Sequence, residues 1–263
     1  QLSQRIQNDL KENGVEINNI ELNQITQVLT RDQTQGLAEH FAFYNFQNDT
    51  LYLNENMAIN YPQKVVSVCA HELAEKLLST YIPLPSNSSM QSAVKLYLEV
   101  KKNSDPETLQ QILDIYVNTI LKSVFKEGTC EVLAVKVLRN MNYATEANSL
   151  EKEMQDSYPK CIGLLSRIEN IRKNVITTNI AQPDRKVLNA QVIVEEFLKN
   201  AQIIKGVSYY LGYPLARVVL EKYGLSGIRF TIENALALKT EYFSNPESYL
   251  ATLNIMHSKQ MEE

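Results

Sequence analysis

No stretch of this chain approaches the roughly 18 to 20 uninterrupted apolar residues that a bilayer crossing requires, so the chain as given does not span a membrane. Positive charge is not in excess either: 26 Lys and Arg stand against 30 Asp and Glu, for a net charge of −4. The basic residues are scattered, with no stripe of the kind a phosphate backbone needs, which excludes nucleic acid as a partner. Cysteine is scarce. Cys69, Cys130 and Cys161 are an odd set that cannot all pair within one chain, and too few for a disulfide scaffold. There is no repeat and no low-complexity linker. What remains is the profile of a soluble globular protein, 44% hydrophobic and 21% charged, able to bury a sizeable core within one domain. The first residue is Gln1, which fits removal of an upstream segment such as an export signal and favours an extracytoplasmic location, secreted or periplasmic.

The pattern along the chain is mainly helical with a small sheet, an α+β class. Residues 1 to 30 read as a helix, Gly14 as its stop and a short extended piece after it. From 41 to 53 two aromatic-rich runs flank the polar turn Gln47-Asn48-Asp49, the signature of a β-hairpin. Residues 64 to 80 carry Val66, Cys69, Leu73 and Leu77 at helical spacing, and 81 to 89 form a loop. Asp105-Pro106-Glu107 supplies an N-cap, a first-turn proline and an acidic first turn, opening a helix that runs to about 140. Further helices are expected at 147–157, 160–175, 186–204, 207–223 ending at Gly224, 227–239, and 246–257 behind Asn245-Pro246.

One segment carries chemistry. His71, Glu72 and Glu75 interrupt a largely apolar helix, where such groups are costly to bury unless something satisfies them. His71 and Glu75 stand at i and i+4, one turn apart on one face, the spacing by which a helix presents two ligands to one metal ion. Glu72 lies beside them. The bland alternative is an exposed ion pair between Glu72 and Lys76, with His71 packing or capping. A second segment, Glu127-Gly128-Thr129-Cys130-Glu131, sets a glycine inside a helix, which permits close approach of another element; taken alone, it reads as a helix crossing with Glu131 facing solvent.

These two segments, with the Tyr209-to-Gly224 helix, resemble the gluzincin or peptidase-MA-like zinc metallopeptidases. There an H-E-x-x-H helix is followed by a later helix with an E-G-x-x-E-like motif. The resemblance covers about residues 41 to 240 and implies a zincin-like fold, its active-site cleft between a sheet-containing N-terminal lobe, 1–80, and a helical lobe, 81–263. It implies His71, Glu75 and Glu127 as metal ligands, with Glu75 standing where the family has a second His. Glu72 becomes the general base that takes a proton from activated water, and Tyr209 the donor to the developing oxyanion, with Tyr210 and Tyr213 close by. The Tyr52-Leu53-Asn54 run looks like the edge strand that aligns an extended peptide beside the cleft.

The implied activity is hydrolysis of a peptide bond in a peptide or protein substrate, with one zinc ion. Glu75 adds negative charge to the site, which lessens the acidity of activated water and suits harder ions such as manganese. Two readings therefore stand side by side: an enzyme, and a catalytically inactive relative that keeps the cleft to bind a peptide or protein partner. His40 and His257 are the only other histidines, and Cys69 and Cys130 sit beside the two motifs as packing residues.

Overall fold

Apolar spacing and proline decide where the elements lie. The structure, a computed structural model, describes residues 27–29, 42–45, 50–54, 59–81, 106–181, 186–234 and 238–260. Among the described residues, three short strands, β1 (Gln27–Leu29), β2 (Ala42–Asn45) and β3 (Thr50–Asn54), precede eight helices: α1 (Pro62–Tyr81), α2 (Pro106–Asn140), α3 (Ala144–Cys161), α4 (Gly163–Ala181), α5 (Lys186–Gly206), α6 (Ser208–Glu233), α7 (Thr240–Ser244) and α8 (Pro246–Gln260). Pro62, Pro106 and Pro246 each open a helix, where a missing N–H leaves no bond unmade and the fixed φ is already helical.

The α+β class with a sheet-containing lobe is corrected to a mainly helical fold. The strands hold only three, four and five residues, whereas α2 alone holds 35, so the strands form a patch and not a lobe. The aromatic runs carry the strand pattern, but their extent is small. The edge-strand expectation is also corrected. Strand order is β1-β3-β2, so Tyr52, Leu53 and Asn54 lie on the central strand, paired in parallel with Gln27, Val28 and Leu29. On its other side β3 pairs antiparallel with β2, Leu53 opposite Ala42 and Tyr52 opposite Phe43. A strand paired on both sides has no open backbone edge for a substrate.

The chain divides into two compact units, Gln1–Pro83 with Thr129–Gln155, and Leu84–Gly128 with Asp156–Glu263. In the first unit the two-residue period of β3 buries Leu51 and Leu53, which join Ala42 and Cys69, with Val65 and Val68 packed alongside. The sheet is thereby seated on α1. Lys64 of α1 pairs with Glu153 of α3 at 3.3 Å, and Arg139 pairs with Glu151.

In the second unit a close crossing joins α2 to α6. A Cβ built on Gly128 would sit 2.1 Å from the Gly212 carbonyl carbon, and one on Gly212 would sit 1.9 Å from the Val124 oxygen. Backbone meets backbone there, which only glycine allows. Tyr116 packs edge-on against Phe197 with ring centroids 5.6 Å apart, and the Tyr249 hydroxyl donates to Thr231 Oγ1 at 3.1 Å. Arg172 on α4 donates to Asp114 on α2 and to Glu169 one turn away, each at 2.6 Å.

The helices expected at 207–223 and 227–239 form one run, α6, interrupted at Gly224, whose φ of 61° and ψ of −155° break the helical path. The run ends at Glu233 instead of 239, and α7 has no counterpart in the sequence reading. The helix expected within residues 1–30 and the loop expected at 81–89 lie outside the described residues, except that 27–29 form β1 and Tyr81 ends α1. Among the described residues no helix is long and apolar enough to cross a membrane.

Gly212→Ala should lower stability by about 1–3 kcal/mol in urea denaturation, because the new methyl meets backbone that cannot yield. Gly163→Ala, whose added carbon has nothing within 4 Å, should change it by less than about 1 kcal/mol. Acid stability should follow the α4 cluster. Burial raises the Glu169 pKa, but the hydrogen bonds and charges of Arg172 and Lys173 outweigh it and hold the carboxyl below its ordinary value. A lowered folded pKa stabilises above the unfolded pKa and loses that contribution as pH falls through the folded one. Arg172→Ala should therefore cost roughly 1–2 kcal/mol at pH 7 and progressively less as the carboxyl protonates, measured by unfolding across an acid pH series.

Candidate metal centre

Helix α1 has one buried face and one half-buried face. Cys69, Ala70, Leu73, Ala74 and Leu78 recur at helical spacing and are buried. His71, Glu72 and Glu75 fall on the adjoining half-buried strip, since i, i+1 and i+4 span little more than a quarter of the helix circumference. One ligand atom from each lies within 4.8 Å of those of the other two, close enough to hold a single ion. The exposed Glu72–Lys76 pair does not describe this helix: Glu72 is half-buried and Lys76 is only 6% exposed.

The sequence reading missed Glu131. In α2 every residue from Thr129 to Val135 is buried, so this stretch has no solvent face, and Glu131 is only 8% exposed. Its Oε1 lies 3.0 Å from His71 Nδ1. Its other oxygen, Oε2, is buried without a hydrogen-bond partner. The signal was present in the sequence: Cys130-Glu131-Val132-Leu133-Ala134-Val135 surrounds the carboxylate with apolar neighbours at every helical angle, which is the pattern of a helix buried all round. A solvent-facing Glu131 is corrected on that ground.

The pair has a chemical consequence for His71. A carboxylate this close to Nδ1 is placed to hold the orientation of the ring, as the outer partners of ligating histidines do. His71 and Glu131 belong to the first compact unit, as do Glu72 and Glu75. Glu127 is half-buried on α2, one turn before Glu131, and among the described residues the group able to hold a metal is His71, Glu72 and Glu75 without it. Tyr209 and Tyr210 are half-buried on α6 in the second unit, their ring centroids 4.2 Å apart, and Tyr213 is buried in its core. Tyr52 is half-buried and Asn54 buried on β3. His40 and the side chain of His257 lie outside the described residues.

A cavity of about 420 Å³ opens elsewhere, between α4 and α5, with Arg167, Asn170 and Glu196 on its wall. It shares no residue with the His71 group, and its polar wall is exposed.

None of the three cysteines is in a disulfide. Burial first, and then the charge of Glu72, push Cys69 up to about 11. Cys69 and Cys130 are buried, while Cys161 at the end of α3 is half-exposed. An alkylating reagent should therefore modify Cys161 first in the native protein and reach Cys69 and Cys130 only on unfolding, as intact mass before and after denaturant would report. A scan against protein-family models, a search of the curated proteins and a search of the solved structures each found no match to this chain.

Proposed function

We propose that this protein is a divalent-metal-dependent hydrolase that cleaves peptide bonds, working at His71, Glu72 and Glu75. The observation that carries the reading is the convergence of these three ligand atoms within 4.8 Å of one another on one strip of α1. Support comes from the site and from the resemblance of the His71-Glu72-Leu73-Ala74-Glu75 segment to gluzincin peptidases, since the fold is mainly helical.

The donor set fits a single divalent cation. The imidazole of His71 and the carboxylate of Glu75 are ordinary ligands, and Glu131 behind the imidazole is the outer partner that metal-ligating histidines commonly have. Its buried, unpartnered Oε2 leaves this carboxylate with negative charge that a nearby cation would offset. His71 and Glu75 would hold the ion. When bound, the cation supplies Lewis acidity, polarising the substrate carbonyl and making water more acidic.

The remaining work falls to the chain itself. Glu72, adjacent to both ligands, accepts the proton of the attacking water and returns it to the departing amine nitrogen, so the carboxylate ends as it began. Glu131, its Oε1 3.0 Å from His71 Nδ1, would hold the orientation of the ring. The half-buried setting of all three groups limits competing water around them.

Elemental analysis of the purified protein should find a single equivalent of divalent metal, lost in His71→Ala and Glu75→Ala. Glu131→Ala should retain the site with affinity lowered about 10- to 100-fold. Glu72→Gln should keep metal yet cleave a mixed peptide library about 100-fold more slowly than the wild type. Absence of metal from the wild-type protein after incubation with zinc or manganese would sink this reading.

A further inference from the structure

Position 75 is where this site parts from a two-imidazole pattern, and the structure keeps the geometry of the pattern while changing its chemistry. Glu75 still shares a helical strip with His71 and still brings a ligand atom within 4.8 Å of it. The donor it offers is a charged oxygen instead of a neutral nitrogen. Around the centre the count is then one imidazole against Glu72 and Glu75, with a third carboxylate, Glu131, 3.0 Å from that imidazole and 8% exposed.

Two physical effects point the same way. Carboxylate oxygens favour hard ions such as manganese and magnesium, whereas imidazole favours zinc, copper, iron and nickel. Accumulated negative charge in a half-buried site also rewards any cation strongly, which narrows the advantage that zinc holds over manganese through its affinity for nitrogen.

Resting on the metal-site reading above, we propose that Glu75 sets the metal preference of this centre, shifting it from zinc toward a hard, oxygen-preferring divalent ion of the manganese class. Zinc binds most mixed sites more tightly than manganese, so the quantity that reports the preference is the ratio of the two affinities and not either alone. Glu75→His restores a second imidazole at the same i+4 position and is the variant that isolates the effect.

The experiment uses the full chain stripped of metal with a chelator. It is titrated with Mn²⁺, whose sharp paramagnetic resonance signal is lost on binding, and then competed with Zn²⁺. The zinc-to-manganese affinity ratio should rise at least about tenfold in Glu75→His relative to wild type. Glu75→Gln, which keeps shape and removes charge, should lose manganese affinity by a larger factor than zinc affinity. It serves as the measure if circular dichroism shows that Glu75→His does not fold. Binding of both ions with a ratio unchanged across the variants overturns the role of Glu75 and leaves the metal site standing. Failure of the wild type to bind either ion overturns the metal site itself and this inference with it.

Discussion

A carboxylate in a stretch of helix that is buried on every side has to be answered by a partner, and in this protein that demand is met at His71. Glu131 cannot turn to solvent, because Thr129 through Val135 are all buried around it. Leaving its charge isolated would be far more costly than any packing gain the stretch provides. The 3.0 Å approach of Oε1 to His71 Nδ1 therefore fixes how α1 presents its polar strip within the first unit. Glu72 and Glu75 inherit their placement from that registration, since both are rigidly spaced from His71 by helical geometry. The sheet supports the opposite side of the same arrangement, with Leu51, Leu53 and Ala42 closing over Cys69. Site and core are two faces of one helix.

Much of the helical layout was legible in the sequence because its signals are local. Pro106 behind Asp105, the apolar spacing of 64 to 80, and Asn245-Pro246 each mark a boundary through backbone chemistry alone. Gly224 was legible as an interruption, but not as a break inside a run that continues to Glu233, because the residues on both sides keep helical preference. The mainly helical character was legible, but the small extent of the sheet was not. Aromatic runs announce strands without saying how far a sheet extends, and the three-residue β1 carries too short a pattern to be seen. The central place of β3 depends on that unseen strand, so the assignment of Tyr52 and Asn54 to an open edge failed with it.

For the site, legibility divides in the same manner. Convergence of His71, Glu72 and Glu75 follows from helical spacing and was readable from residue numbers. The part played by Glu131 was not, since it depends on contact between residues far apart in the chain. Its neighbours nonetheless signalled it: a lone carboxylate in Cys130-Glu131-Val132-Leu133-Ala134-Val135 has no polar face to occupy.

Helix α2 belongs to both compact units, its residues through Gly128 counted with one and those from Thr129 with the other. Neither unit is thus a module in the sense used by protein engineers. A chain cut between Gly128 and Thr129 would sever that helix in mid-course. The first unit is also discontinuous, with an intervening segment of sequence assigned elsewhere. Domain exchange, tandem fusion of one half, or expression of one unit as a continuous fragment is closed to this architecture, and shuffling can act on it only as a whole.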